Sequence, residues 1–206
     1  MPIEQRPDGE IVLVTGRSGS GKTLYTMRAA ARARRLLVWD SHLEWAAHGC
    51  TPVTSIADLA KACSTREPGQ YAYVGPHNAR TFAAFCRIAK CWVMLAPATV
   101  VVEELADVST PSKAPAEWGD LLRMVRKYGG TIYAITQRPS ESDKTVVGNA
   151  HRIVCHAVGR QGDAVYMANE IGQPLEAVRA LDATKLEHLE RGPDFVVRRG
   201  RTPRPA

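Results

Sequence analysis

Gly16, Arg17, Ser18, Gly19, Ser20, Gly21, Lys22 and Thr23 read GRSGSGKT and match the pattern GxxxxGK[ST] at every fixed position. Glycines at these spacings let the backbone bend around phosphate oxygens, so that successive N–H groups and the positive end of a following helix point at negative charge. Lys22 is expected to reach the β and γ phosphates of a nucleoside triphosphate, and the Thr23 hydroxyl to hold Mg²⁺. A second set of groups lies at Val100-Val101-Val102-Glu103-Glu104, an apolar run that ends in two carboxylates, the arrangement of a Walker B element. Glu103 is expected to join Thr23 in holding the metal, and Glu104 to polarise the attacking water. A third polar group, Gln137, follows the run Thr131 to Thr136, where it is suited to bond the γ-phosphate or the water as a sensor. The chemistry expected of these groups taken together is hydrolysis of a nucleoside triphosphate with Mg²⁺.

These groups work together only if strands deliver them to one edge. Mostly apolar runs occur at 11–15, 36–40, 71–74, 99–103, 131–136 and 152–158, and runs of that kind suit strands buried on both faces. Helical patterns fall between several of them. The segment 24–35 is rich in helix formers, 77–92 spaces Phe82, Phe85, Ala89 and Trp92 along one face, and 117–128 does the same with Trp118, Leu121, Leu122, Val125 and Tyr128. Arg123, Arg126 and Lys127 fall off that face, and Gly129-Gly130 is a suitable helix stop. The alternation predicts an α/β fold, a P-loop NTPase with a mainly parallel central sheet flanked by helices. Adjacent residues on a regular strand point to opposite faces, so Glu103 and Glu104 must sit where their strand ends. Ser109 to Pro115 reads as a loop.

At 206 residues the chain suits one domain, 1–206, with a core over about 10–170 and a C-terminal extension, 171–206, that ends in a basic tail read as a solvated end. The 27 Lys and Arg against 21 Asp and Glu give a mildly basic balance that fits a polyanionic partner. Cys50, Cys63, Cys86, Cys91 and Cys155 have no CxxC spacing, read as reduced thiols and define no metal site. The start MPIEQRPDGE lacks an apolar signal region, and no stretch is long enough for a membrane span, so a soluble, unprocessed, cytoplasmic protein is expected.

The ordered set GRSGSGKT, VVVEE, RKYGG (126–130), ITQRPS (135–140), Asn149-Ala150-His151-Arg152-Ile153 and GRQGDA (159–164) resembles the FtsK/HerA division of P-loop motor ATPases, over roughly residues 10 to 170. The resemblance implies a RecA-like sheet, a homo-oligomeric ring and ATP-driven movement of double-stranded DNA through it. Arg126 matches the arginine of the family's RKxG stretch, which implies a finger reaching the neighbouring subunit's γ-phosphate; Arg123, Arg152 and Arg160 are the alternatives. Asp40 stands where relatives often place an acid near the nucleotide. Glu103-Glu104 departs from the Asp-Glu usual in the family, and the added methylene suits metal coordination through water.

A bare motor of this size is similar to the genome-packaging ATPases of tailless, internal-membrane-containing, tectivirus-like viruses. That likeness implies docking on capsid or portal-vertex proteins and a place in the host cytoplasm or at the virion vertex. Three other readings stay open: a motor of the same superfamily for conjugative transfer or filamentous-phage export, a small-molecule P-loop kinase, and a nucleotide-binding subunit without turnover. DNA binding independent of sequence is expected, with Lys113, Arg138, Lys144, Arg198, Arg199, Arg201 and Arg204 as candidate contacts.

Overall fold

The six apolar runs all form strands in the computed structural model and lie parallel, joined by a short, mostly exposed parallel strand at Thr51–Val53 that the sequence pattern does not announce; residues 8–110 and 114–204 are described. In chain order the elements are β1 (Glu10–Thr15), α1 (Lys22–Ala30), β2 (Arg35–Trp39), α2 (Glu44–Ala47), β3 (Thr51–Val53), α3 (Ile56–Ala62), β4 (Gly69–Tyr73), α4 (Ala79–Leu95), β5 (Thr99–Val102), α5 (Ala116–Val125), β6 (Thr131–Thr136), α6 (Lys144–Asn149), β7 (Arg152–His156), α7 (Gln161–Ile171), α8 (Leu175–Arg179), β8 (Glu187–Arg191) and β9 (Val197–Arg201). They build one nine-stranded sheet in the order β3-β4-β2-β5-β6-β1-β7-β8-β9. The register pairs Thr15 with Thr136 and Val102 with Ala134, so β1, β5 and β6 end at one edge.

Helices cover both faces. Ile11 and Leu13 of β1 face α4, α5 and α7, whereas Val12 and Val14 face the side of α1 and α2. The faces of α4 and α5 marked by periodicity, Phe82, Phe85, Ala89 and Trp92 against Trp118, Leu121, Leu122 and Val125, are buried in the larger core. Asn78 starts α4 with a capping box closed by Thr81, which satisfies N–H groups that the first turn leaves free. The helix expected over 24–35 stops at Ala30, because Arg35 already opens β2. No helix among the described residues is long and apolar enough to cross a membrane.

The tail corrects the expectation of a solvated end. Arg198, Arg199 and Arg201 lie in β9, which pairs antiparallel with β8, and β8 in turn pairs antiparallel with β7. Glu187 of β8 holds Arg199 at 2.6 Å and Arg201 at 2.9 Å. The sequences of these strands, EHLER and VRRGR, have no apolar run; β8 is buried over its first three residues, and cross-strand ion pairs from Glu187 tie it to β9. All five cysteines are free thiols.

Candidate active site

The segment between β1 and α1 folds as a loop over the ends of β1 and β7, held by Arg17 N–H donating to the Ala157 carbonyl at 2.8 Å. Gly21 precedes α1 with φ +99°, a conformation that L side chains rarely adopt. No side chain caps the N-terminus of α1, so its first N–H groups and dipole face the loop without an internal partner. Lys22 is only 8% exposed and its Nζ donates to the Arg17 carbonyl at 3.1 Å. Burial lowers its pKa from the ordinary lysine value, and the carboxylates of Glu104 and Glu103 oppose that shift.

Lys22 and Thr23 open onto a cleft of about 430 Å³ that Glu103, Glu104 and Gln137 also line, with Ser18, Gly19 and Gly21 at its loop side. The two carboxylates diverge because the chain turns sharply after β5. Glu103 is buried, whereas Glu104 takes φ +45° and ψ +63°, a left-handed conformation that costs a non-glycine residue on the order of 1–3 kcal/mol. That turn lets Glu104 Oε1 accept the backbone N–H of Gln137 at 3.2 Å, joining the ends of β5 and β6.

Glu103 is held from a direction that the sequence did not disclose. Trp45 Nε1 donates to Glu103 Oε1 at 2.8 Å, and burial pushes the Glu103 carboxyl up to about 7, against the lowering effect of that bond. Trp45 is in turn placed by Asp40. The Asp40 carboxylate is fully buried and accepts the backbone N–H groups of Glu44 at 3.0 Å, Trp45 at 3.1 Å and Ala46 at 3.0 Å. Its role is therefore to cap α2, and it does not line the cleft. Thr23 and Glu103 both line the cleft, and their side-chain oxygens are hard donors of the kind that would hold Mg²⁺ with water completing its shell.

The C-terminal segment also reaches the cleft, through Leu186 and Arg204. A Cβ at Gly21 would stand 3.2 Å from Leu186 Cδ2, so the glycine admits this leucine as well as the turn. Leu186 has φ +52° and is fixed by Thr202 N–H donating to its carbonyl at 3.0 Å. Arg204 donates to the Thr184 carbonyl at 3.0 Å. Beneath the loop lies a buried His156, which burial pulls down to about 3 and keeps neutral; its ring is 5.1 Å from that of His188. Sequence reasoning missed Trp45, Leu186 and His42, the last also on the cleft, and took Arg204 for a DNA contact, whereas it lines the cleft. None of the three missed residues carries a local pattern that marks it.

The arginines separate clearly. Arg126 is exposed just past α5, at the edge where β6 begins, and so stands away from the cleft of its own subunit. Arg152 bridges Glu10 at 3.0 Å and Glu190 at 2.8 Å within the subunit. Arg123 pairs with Asp120, and Arg160 with Glu141. Among the suggested DNA contacts, Arg138 pairs with Glu141 at 3.1 Å and Arg198 with Asp194 at 2.8 Å, Lys144 is exposed at the start of α6, and Lys113 lies outside the described residues.

A scan against protein-family models finds no match. Protein P9 of Pseudoalteromonas phage PM2 is 30% identical to the chain over 172 residues, which are 82% of this chain and 78% of P9. The genome packaging NTPase B204 of Sulfolobus turreted icosahedral virus 2, solved with AMPPCP, superposes with a TM-score of 0.78 over 97% of this chain and 100% of its own, at 18% identity. B204 of Sulfolobus turreted icosahedral virus, described as a DNA-packaging ATPase, superposes with a TM-score of 0.73 over 96% and 99%, also at 18% identity. At that identity the superpositions establish a shared fold. The P9 match goes further: this chain belongs to the family of protein P9 of phage PM2, with the fold seen in the B204 packaging NTPases.

Proposed function

We propose that this chain, as a single domain, is an ATP-hydrolysing motor that moves double-stranded DNA into a viral capsid. The observation that carries the reading is the convergence of Lys22, Thr23, Glu103, Glu104 and Gln137 on one cleft at the carboxyl ends of β1, β5 and β6. Membership of a phage protein family and the likeness in fold to the B204 packaging NTPases support the cargo. Structures of B204 with AMPPCP and ATP-γS support ATP as the nucleotide.

The free N–H groups of α1 and the buried ammonium of Lys22 bind the phosphates in a site partly shielded from water, where charge interactions are stronger. Thr23 and Glu103 would hold Mg²⁺, which neutralises charge on the phosphates when bound. Glu104, pinned by the Gln137 N–H, orients a water toward the γ-phosphate, and the Gln137 side chain contacts the same region. Arg126 supplies a guanidinium to the next subunit of a homo-oligomeric ring, which makes turnover depend on assembly. Capsid or portal-vertex proteins are the docking partners, in the host cytoplasm or at the virion vertex.

The test is ATP turnover by the purified protein with and without linear double-stranded DNA, beside Lys22→Ala and Glu104→Gln. Stimulation by DNA that both substitutions abolish is expected. Turnover that needs a phosphoryl acceptor and survives Glu104→Gln would instead identify a kinase.

A further inference from the structure

The sheet has a second edge, where β4, β2, β5 and β6 begin, at the opposite end of these parallel strands from the nucleotide cleft. The loops leading into β2, β4 and β6 are short and cationic. Arg32 and Arg34 precede β2, Arg35 opens it, Arg66 precedes β4, and Arg126 and Lys127 precede β6; the acid in these loops is Glu67. Arg34, Arg35 and Arg66 line one cleft of about 460 Å³, together with Pro97, Gly129 and Thr131.

Arg35 is the anchor of this cleft. It is 6% exposed, lies over the Trp92 ring at 4.1 Å, and donates to the carbonyl oxygens of Thr65 and Trp92 at 3.1 Å each and to that of Ala96. Its Nε has no partner, and no carboxylate pairs with the guanidinium. Burial, with the nearby charge of Arg66, lowers its pKa from the ordinary arginine value. Arg32, Arg34, Arg66, Arg126 and Lys127 likewise make no ion pair among the described residues. By contrast, Arg138, Arg198, Arg199 and Arg201, which the sequence also offers as DNA contacts, all pair with acids. Like charges held together without counter-ions repel one another, and a bound polyanion relieves that repulsion.

We propose that this edge, centred on Arg34, Arg35 and Arg66, is a binding surface for the phosphodiester backbone of nucleic acid, read without regard to sequence. This placement rests on the reading of the chain as a DNA motor. The extent of the row favours a polymer over a single phosphate. With Arg126 given to the neighbouring subunit, the row runs from Arg66 before β4 to Lys127 before β6, four strands that at about 4.8 Å apart span roughly 15 Å, and duplex DNA presents one charge per about 1.7 Å of axis. The cleft offers no aromatic side chain on which a base would stack, which fits contact with backbone.

The test measures binding of a fluorescent duplex of arbitrary sequence by anisotropy across a salt series. The wild type is compared with Arg34→Glu/Arg66→Glu, with the milder Arg34→Ala/Arg66→Ala, and with the control Lys144→Glu/Arg198→Glu; thermal melting checks that each folds. The expected result is a loss of at least about tenfold in affinity for the double reversal, a smaller loss for the alanine pair, and a salt slope reduced by about two. The control is expected to bind as the wild type does. Full affinity in both edge variants, while the wild type binds, overturns the placement alone. A wild type that neither binds duplex nor is stimulated by it overturns the motor reading and this inference together. Normal DNA affinity with lost turnover, restored by mixing with wild-type subunits, would assign the edge to a neighbour's triphosphate and so overturn the proposal.

Discussion

Glu104 accepts the backbone N–H of Gln137 through its side-chain carboxylate at 3.2 Å, so the residue suited to orient water is tied to the strand that carries the sensor. The bond depends on the left-handed turn at Glu104, which takes it off the line of β5. Glu104→Gln keeps the shape and removes the basic oxygen. Steady-state ATP turnover is expected to fall by roughly 10²–10⁴-fold, with nucleotide affinity by equilibrium titration nearly unchanged.

Trp45→Phe removes the donor to Glu103 and leaves a buried carboxylate with one fewer partner. The loss of a hydrogen bond to a charged group is worth about 1.5–3 kcal/mol. A lower melting temperature is expected, together with a higher Mg²⁺ concentration for half-maximal turnover. An unchanged Mg²⁺ requirement would show that Trp45 packs without positioning Glu103.

Arg204→Ala tests the contribution of the C-terminal segment to the nucleotide cleft. A guanidinium on a base or phosphate at a half-open site is worth roughly 0.5–2 kcal/mol, so the Kd for ATP should rise by about 2–30-fold. Turnover at saturation should stay near the wild-type value. A loss confined to kcat would move Arg204 from binding to chemistry.

Arg126 stands away from its own cleft, so the finger role proposed for it would act across a subunit boundary. Arg126→Ala is expected to bind nucleotide normally and to lose at least about 10³-fold in assembled turnover. In mixtures with Lys22→Ala, which retains the finger but not the site, partial activity should return. Complementation that fails at every ratio would place the finger elsewhere.

Glu187 is held down to about 2 by Arg199, an Asp182 backbone N–H and Arg201. Its folded pKa lies below the unfolded value, so it contributes stability that is present above about 4.5 and lost as pH falls toward about 2. Glu187→Gln should therefore lower the melting temperature at neutral pH and flatten its decline over that acid window. Parallel melting curves for the two proteins across that window would exclude the ion pairs as a source of stability.

The phosphate loop was legible from residues 16–23 because its chemistry is local: glycines, a lysine and a threonine at fixed spacing need only the next few residues to form their cradle. The strands were legible for a related reason, since burial on both faces demands continuous apolar runs, and the buried faces of α4 and α5 appear directly as helical periodicity. The positions of Glu103, Glu104 and Gln137 at one edge followed from that reading. What the sequence left undetermined depends on distant partners. Asp40 reads as an acid at a strand end, yet its lone pairs go to the N–H groups of α2, which places Trp45 on Glu103 58 residues away. The β8–β9 hairpin has no apolar pattern to announce it, and only its pairing against β7 carries Leu186 and Arg204 back to the phosphate loop. The arginines are alike in sequence; tertiary structure alone decided which meet a carboxylate and which are left unpaired along the opposite edge, because charge neutralisation depends on distance in space and not on distance along the chain.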